Sequence, residues 1–420
     1  MGKRFINELL QLPSTMQWAA AQDVKLLRRA VQLYSDRGLL AIGSGGSFTA
    51  AAFAADQHFR VHGRASQAIT PLEVFQVPAN AAANTAGLLL SAEGKNHDVL
   101  AAAKQLRLRA CPTFGLTLRS SSPLVELSDR TGAASLAAYD MPWGKDGYLA
   151  TNSLVATLIL LWRAYAADAE VAAELPLLLD WYREFDRRIG QAGALKPSRR
   201  ALILHGAAGR IGAIDLESKL TEGALAFGQV CNFRQFAHGR HLQLSQLNEP
   251  VTVVNFSTEC DPLAAETFRL LPTEAGPVLA VGLPRISNAG AEIAGVLAAM
   301  VITQAWAGEH IDPGQPAVPQ FGRALHALDI STLAPHVLPP TPAMLRKQAY
   351  GDAPEVLVEH AQRYIARLQA ARLRLLVCDF DGTFCDTVKR FEGLDAGVAP
   401  ELTRLARSGV HLAFATGRGA

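Results

Sequence analysis

The sequence predicts an α/β protein made of two successive αβα units with parallel sheets, followed by a shorter α/β segment. Short apolar stretches alternate with longer helical patterns twice, over residues 38–167 and 201–306. This alternation is typical of parallel sheets that are covered by helices on both faces. A charged stretch separates the two units, a proline-rich stretch follows the second, and the similar order of elements indicates an internal repeat.

These signals divide the 420 residues into five parts. The parts are the first unit with its N-terminal helices at 1–168, a helical linker at 169–200, the second unit at 201–331, a proline-rich linker with a helix at 332–372, and the third segment at 373–420.

The composition limits the compartment and the partners. The chain is 49% hydrophobic, which supplies sizeable cores, and its net charge of +2 predicts neither a nucleic-acid nor a membrane partner. Five scattered cysteines form no CxxC motif, and we find no signal peptide and no apolar run long enough to span a bilayer. We therefore expect a cytoplasmic protein.

The first unit begins with two helices over residues 1–36. We expect a break at Leu12-Pro13-Ser14, with Ser14 or Thr15 as the N-cap of the second helix. Strands are then predicted at 39–42, 68–70, 86–90, 113–118 and 134–138, and a long apolar helix at 151–167.

The loop GSGGS at 43–47 is the first candidate binding site. It joins a strand to an alanine-rich helix. Glycines allow a ligand to approach the backbone, and the first N–H groups of the helix have no internal partner, so the loop suits an anion. Neither common nucleotide fingerprint fits the loop. An ordinary βα turn is the alternative.

The second unit repeats this pattern. Strands are predicted at 201–205, 251–256 and 278–282, with a glycine turn at 206–209 and helices at 211–228 and 289–306. A further helix at 355–371 leads into the third segment.

Several ordered stretches in residues 1–330 resemble the sugar isomerase (SIS) domain. AIGSGGSF matches the glycine-serine loop of that family, LLLSAEGKNHDVL its next strand and phosphate loop, and GYLATNSLVAT its Ala-Ser-Thr helix start. In the second unit, LESKLTEGALAFGQVCNFRQFAHGRH and DPGQPAVPQFGRALHAL resemble the family's later helix, His-Gly segment and tail. The tandem arrangement is similar to the isomerase half of glucosamine-6-phosphate synthase and to related aldose–ketose isomerases and deglycases.

The resemblance implies a sugar-phosphate ligand. It assigns the phosphate to Ser47 and Ser91, places Asn96 where the family has a phosphate-binding threonine, and puts Leu149 and Thr151 against the sugar. Ser47 and Ser91 also follow predicted strands at their carboxyl ends, where open α/β sheets bind ligands.

The sequence departs from the family at two places. Ala92-Glu93 replaces a Gln-Ser pair, and a carboxylate repels a phosphate dianion unless Lys95 offsets it. Either the ligand is not a sugar monophosphate or Glu93 turns away. The tail also lacks the lysine that amidotransfer members use for a Schiff base, and no glutaminase domain precedes the first unit, so a glucosamine synthase is not expected.

The candidate catalytic residues lie in the second unit. Moving a carbonyl between C1 and C2 needs a base that shuttles a proton through an enediol, and the resemblance gives this role to Glu222. Lys219 shares the helical face of Glu222 and would orient or polarise the substrate. The alternative is an exposed ion pair between the two side chains. His238 matches a ring-opening histidine that often acts across a dimer interface, so we expect a homodimer without a cofactor here. A structural histidine is the alternative.

Residues 373–420 resemble the start of a haloacid dehalogenase (HAD) phosphatase. LRLLVCDFDGTFCDT is similar to its first motif and HLAFATGRG to its second. The resemblance makes Asp379 the nucleophile, Asp381 the acid/base, Thr416 a phosphoryl contact, and Asp379 with Asp381 the ligands of Mg²⁺. A later lysine and acidic pair of the superfamily are not reached, so we expect no phosphatase turnover from this chain.

Three functions follow from these patterns. The first is an isomerase-type enzyme or deglycase that acts on a phosphorylated sugar or amino-sugar derivative. The second is a non-catalytic regulatory module that binds a sugar phosphate, which Ala92-Glu93 and the missing tail lysine favour. The third is the N-terminal part of a bifunctional isomerase–phosphatase.

Overall fold

The computed structural model divides the chain into two compact units, residues 1–363 and 364–420. The structure describes residues 3–78, 81, 84–109, 111–131, 134–191, 197–246, 249–272, 276–333, 354–380, 383–384 and 397–415. Within the larger unit we call residues 3–167 the first half and residues 197–333 the second half, and a long helix joins them.

The first half is built on a five-stranded parallel sheet with the order β2-β1-β3-β4-β5. Its strands are β1 (Gly38–Ile42), β2 (Gln67–Ile69), β3 (Thr85–Leu90), β4 (Thr113–Thr117) and β5 (Ala134–Ala138). β4 is buried along its whole length and β3 along nearly all of it. Burial on both faces explains why these strands are continuous apolar runs in the sequence.

Helices cover both faces of this sheet. They are α1 (Phe5–Ala21), α2 (Lys25–Leu33), α3 (Gly46–His62), α4 (His97–Leu108), α5 (Pro123–Thr131) and α6 (Asn152–Tyr165). The predicted break at Leu12-Pro13-Ser14 is wrong, because α1 continues through Pro13 and packs its buried face against α6. The tertiary contact of Leu12 and Met16 outweighs the hydrogen bond that proline cannot donate. The chain bends instead after Ala21.

The second half has a four-stranded parallel sheet with the order β7-β6-β8-β9. Its strands are β6 (Arg200–His205), β7 (Phe227–Asn232), β8 (Thr252–Thr258) and β9 (Val278–Leu283). α7 (Asp168–Gln191) joins the halves, and the second half contains α8 (Arg210–Glu222), α9 (Phe233–Ala237), α10 (Gln243–Gln246), α11 (Pro262–Arg269), α12 (Asn288–Ala307) and α13 (Gln320–His326).

The structure corrects one boundary in the second half. The sequence predicts a helix over 211–228, but α8 ends at Glu222 and β7 begins at Phe227 as an edge strand. A turn separates them, in which Ala224 adopts a positive φ of 53°. Glu222 therefore lies at the end of a helix and next to a turn.

One apolar core joins the two halves. It includes Phe114 of the first sheet and Phe256 of the second, both fully buried. α3 and α6 of the first half and α8 and α12 of the second form a helical layer, in which α12 packs on α6 and α8 and α3 packs on α8. α8 and α12 approach closely where Gly212 meets Gly295, since a Cβ on Gly212 would lie 2.6 Å from the carbonyl carbon of Gly295.

In the part of the chain that the structure describes, α12 alone is long and apolar enough to cross a membrane. Its apolar window is 89% buried inside the protein. The helix is therefore a core element of the larger unit.

α14 (Pro354–Ala370) runs across the boundary between the two units. In the smaller unit, β10 (Leu375–Asp379) and β11 (His411–Ala415) pair in parallel, and α15 (Val398–Arg407) precedes β11. A strand, a helix and a parallel strand in this order make an α/β segment, as the sequence predicts.

Candidate functional site

A cavity of about 370 Å³ lies at the carboxyl ends of β1 and β3. Its walls are formed by Ser44, Ser47, Leu90, Ser91, Glu93, Lys95, Asn96, His97, Val99 and His326. Three of the predicted substrate-binding residues, Ser47, Ser91 and Asn96, therefore meet in one place. They do so because β1 and β3 are hydrogen-bonded neighbours whose following loops leave the same edge of the sheet.

The glycine-serine loop borders this cavity through Ser44 and Ser47. Within the described chain, the N–H groups of Gly45 and Gly46 have no hydrogen-bond acceptor. A Cβ at Gly46 would lie 2.1 Å from the Cβ of Ala150, so only glycine fits against that segment. The loop therefore holds two free N–H groups and the hydroxyls of Ser44 and Ser47 at the start of a helix, which is a favourable setting for an anion.

Asn96 combines a structural and a binding position. It is the N-cap of α4, and its Oδ1 accepts a hydrogen bond of 3.0 Å from the N–H of Val99. Capping uses the side-chain oxygen, and the amide nitrogen remains as a donor at the wall of the cavity.

Glu93 lines the cavity but is not an uncompensated negative charge. Its carboxylate lies 3.2 Å from Nε of Arg119 and 3.7 Å from Nζ of Lys95. Two cations against one carboxylate offset the repulsion that Glu93 would exert on a phosphate. The contribution of Lys95 is as the sequence predicts, whereas Arg119 was missed. The sequence feature that could have indicated Arg119 is its position directly after β4, because the neighbouring strand β3 is followed by the loop that contains Glu93.

Leu149 and Thr151 lie behind the glycine-serine loop. They are 1% and 0% exposed, and the N–H of Thr151 donates to Asp146 at 2.9 Å. Ala150 between them is the residue that presses on Gly46. Their predicted contact with a sugar stays a prediction.

A buried carboxyl that the sequence analysis did not identify supports this segment. Glu8 of α1 is 2% exposed, and its Oε1 accepts a 2.8 Å hydrogen bond from the N–H of Gly147. Burial, and then the charge of Asp146, raise the pKa of Glu8 to about 7, although the bond from Gly147 opposes the shift.

Lys219 takes part in a buried network that links the two halves. Its Nζ lies 2.8 Å from Oδ1 of Asp215, and the two side chains are 3% and 0% exposed. The hydroxyl of Thr49, in the first turn of α3, donates to the same oxygen at 3.2 Å. The partner of Lys219 is therefore Asp215, and the alternative of an exposed ion pair with Glu222 is wrong. Burial raises the pKa of Asp215, and Lys219 opposes that shift.

Glu222 and His238 are exposed and do not line the cavity. Glu222 accepts a hydrogen bond from the hydroxyl of Ser218 in its own helix. His238 follows α9, in a segment whose side chains are exposed as far as residue 242. Their catalytic roles stay predictions.

Asp379 is the last residue of β10 and pairs in register with Ala415 of β11. The predicted site residues Asp381 and Thr416 lie outside the described residues. Among the residues that are described, no group of three or more His, Cys, Asp or Glu side chains is placed to hold a metal ion. Asp379 by itself does not make a magnesium site.

Solved structures of known proteins share the fold of this chain. A glucosamine-6-phosphate deaminase from Thermotoga maritima superposes with a TM-score of 0.62 at 19% identity, over 75% of this chain and 97% of that one. A tagatose-6-phosphate ketose/aldose isomerase from Escherichia coli superposes with a TM-score of 0.59 at 16% identity, over 76% of this chain and 96% of that one. The C-terminal domain of glucosamine-fructose-6-phosphate aminotransferase from Francisella tularensis superposes with a TM-score of 0.55 at 14% identity, over 74% of this chain and 98% of that one.

The chain has the fold of the SIS-type phosphosugar isomerases. The predicted α/β class with parallel sheets of the SIS type is thereby confirmed. No protein-family model matches the sequence, and no curated protein matches it. At these identities the likeness establishes the fold, and the HAD-like assignment of residues 373–420 stays a prediction.

Proposed function

We propose that the cavity binds a phosphorylated sugar or amino-sugar derivative, and that the chain moves a proton between C1 and C2 of that ligand. One observation carries this proposal. Ser44, Ser47 and Ser91 line one cavity, beside a glycine-serine loop with two free N–H groups, in a fold shared with phosphosugar enzymes.

The proposed chemistry needs a base and no cofactor. The phosphate is held by the serine hydroxyls, the loop N–H groups and the amide of Asn96. The carboxylate of Glu222 takes the C2 proton of the open-chain aldose, which leaves an enediolate. The protonated Glu222 then returns that proton to C1, while a proton passes from the C2 hydroxyl to the C1 oxygen, and the ketose results. His238 opens the sugar ring, and the protein acts as a homodimer in the cytoplasm. Lys219, through its pair with Asp215, holds α8 in position.

Proton exchange at C2 tests the proposal. The protein is incubated in D₂O with glucose 6-phosphate, glucosamine 6-phosphate and their unphosphorylated forms, and the loss of the C2 proton signal is followed by NMR. We expect exchange with a phosphorylated sugar and a loss of roughly 10²–10⁴-fold in Glu222→Gln. Glu217→Gln on the same helix is the matched control and should stay within about threefold of the wild type, because a residue outside the proton relay makes no such contribution. Absence of exchange with every sugar would overturn the catalytic part.

A second function is favoured by one feature of the site. Glu222 is exposed and lies outside the cavity wall, while Lys219 is fixed in a buried ion pair. This arrangement suits a regulatory module that binds a sugar phosphate without turning it over. Calorimetric binding of fructose 6-phosphate that Glu222→Gln leaves unchanged, together with no C2 exchange, would support the module over the enzyme.

The smaller unit belongs to a third, separate proposal. The parallel pairing of β10 and β11 with Asp379 at its carboxyl end supports a HAD-like segment, as in a bifunctional isomerase–phosphatase. We expect no magnesium-dependent hydrolysis of p-nitrophenyl phosphate by this chain. Steady turnover that Asp379→Asn abolishes would contradict that expectation.

A further inference from the structure

The cavity contains basic side chains that the serine loops do not account for. Lys95 and His97 come from the loop after β3 and the start of α4, and His326 is the last residue of α13. Every other lining residue belongs to positions 44–99. The second half therefore contributes one side chain, an imidazole, to a cavity of the first half.

The residues around His326, which we call the tail (320–333), are held against α4 by specific contacts. The Nε2 of His97 lies 3.1 Å from the carbonyl oxygen of Leu328. The rings of His97 and His326 meet edge to face with centroids 6.0 Å apart. The short helix Ile330–Leu333 packs on α4. These contacts place the two imidazoles side by side at the wall of the cavity.

The hydrogen bonding of His97 leaves one ring nitrogen for a ligand. Nε2 points to the Leu328 carbonyl and lies 3.3 Å from Oδ1 of Asp98. Nδ1 is therefore the nitrogen of His97 that is open to a further partner. Because Nε2 carries the proton that the carbonyl accepts, Nδ1 donates to a phosphate only in the imidazolium form of the ring. His326 is exposed, so its ring is free to turn toward a bound group.

The acidic residues around Lys95, His97 and His326 do not neutralise all of these basic side chains. Asp98 is adjacent to His97, and Asp329 lies close enough that His97 and Lys104 lower its pKa, after the larger effect of its hydrogen bonds from Ser331. Glu93 is paired with Arg119 at 3.2 Å and with Lys95 at the longer distance of 3.7 Å. Because Arg119 already neutralises Glu93, Lys95 is available to an anionic ligand.

We propose that Lys95, His97 and His326 form a cationic subsite that binds the phosphoryl group of the ligand beside Ser47 and Ser91. The tail then completes the site by contacting the ligand itself. Ammonium and imidazolium N–H groups make charge-assisted hydrogen bonds to phosphate, which are about twice as strong as neutral ones. This inference rests on the proposed function, because it assigns residues to the same cavity and the same ligand class.

Binding measurements with three probes test the subsite. Inorganic phosphate, fructose 6-phosphate and fructose are titrated calorimetrically into the full chain. We expect His326→Ala and His97→Ala each to weaken both phosphate-containing probes about 10-fold or more, the usual value of a hydrogen bond to a charged group. The affinity for fructose should not change in either variant, and His326→Gln should recover part of the phosphate affinity that His326→Ala loses. His310→Ala, an exposed histidine outside the cavity, is the matched control.

Imidazole NMR separates contact from a purely structural role. Addition of inorganic phosphate should shift the Cε1–H signals of His97 and His326 and leave that of His310 in place. If Ser47→Ala and Ser91→Ala abolish phosphate binding while both histidine variants bind normally, the cationic subsite is overturned and the proposed function stands. If the wild-type chain binds none of the phosphate-containing probes, both are overturned.

Discussion

Replacing Lys219 by methionine should destabilise the larger unit strongly. The change removes the cation 2.8 Å from Asp215 and leaves a carboxylate that is 0% exposed, with the Thr49 hydroxyl as its remaining hydrogen-bond donor. Loss of one partner from a buried ion pair costs about 3–5 kcal/mol, because an uncompensated charge stays in a region of low polarity. We expect a decrease of that size in the free energy of unfolding.

A compensating variant makes this test specific. In Asp215→Asn/Lys219→Met both charges are absent, and replacement of a buried pair by neutral groups of similar size is often close to neutral. The double variant should therefore be more stable than the sum of the single effects by about 2 kcal/mol or more. Arg183→Met serves as the control, since its pair with Asp180 is exposed at 59% and 73% and should contribute at most about 1 kcal/mol.

Urea unfolding followed by tryptophan fluorescence provides the measurement. All five tryptophans lie in the larger unit, so the signal reports that unit. A change of less than about 1 kcal/mol in Lys219→Met, or strictly additive single effects, would refute the reasoning. If the stable double variant also retains C2 exchange, Lys219 has a positioning role and no catalytic one.

Two further predictions concern the segment around the cavity. Gly46→Ala should weaken the binding of inorganic phosphate at least about 10-fold in calorimetry, because the new Cβ would lie 2.1 Å from the Cβ of Ala150. Gly190→Ala is the control and should leave phosphate binding unchanged, since nothing lies within 4 Å of a Cβ at that position. Equal phosphate affinities of the two variants would contradict the role of the loop. The pKa of Glu8 is raised from 4.5 to about 7, so the folded state keeps a proton that the unfolded chain releases. The stability that Glu8 contributes is fully present below about pH 4.5 and is lost as the pH rises through about 7, and urea unfolding of Glu8→Gln should show a flatter pH dependence over that range.

The sequence predicts most of the first half because its signals are local. A strand, a glycine turn and a helix start over residues 39–53 are encoded by neighbouring residues, and the structure places β1, the loop and α3 there. The convergence of Ser47 and Ser91 follows from parallel strands ending at one edge of the sheet. The continuity of α1 through Pro13 depends instead on packing against α6, which no local rule contains.

Contacts between distant parts of the chain were not predictable in the same way. Lys219 has an acidic residue on its helical face in both directions, Asp215 four residues before and Glu222 three after, and burial decides between them. Arg119 reaches Glu93 only because β3 and β4 are neighbours. His326 lies far along the chain, and the path of the tail alone brings it to the cavity.

The path of the tail has a consequence for synthesis. The serine loops and most of the cavity wall are made early, within residues 44–99, but His326 leaves the ribosome only after both sheets have been translated. A nascent chain that ends before the tail carries the serine loops without the imidazole of His326. Ligand affinity should then rise late in elongation, when the tail reaches α4, so that chains arrested before residue 320 would bind the ligand weakly although their first sheet is complete.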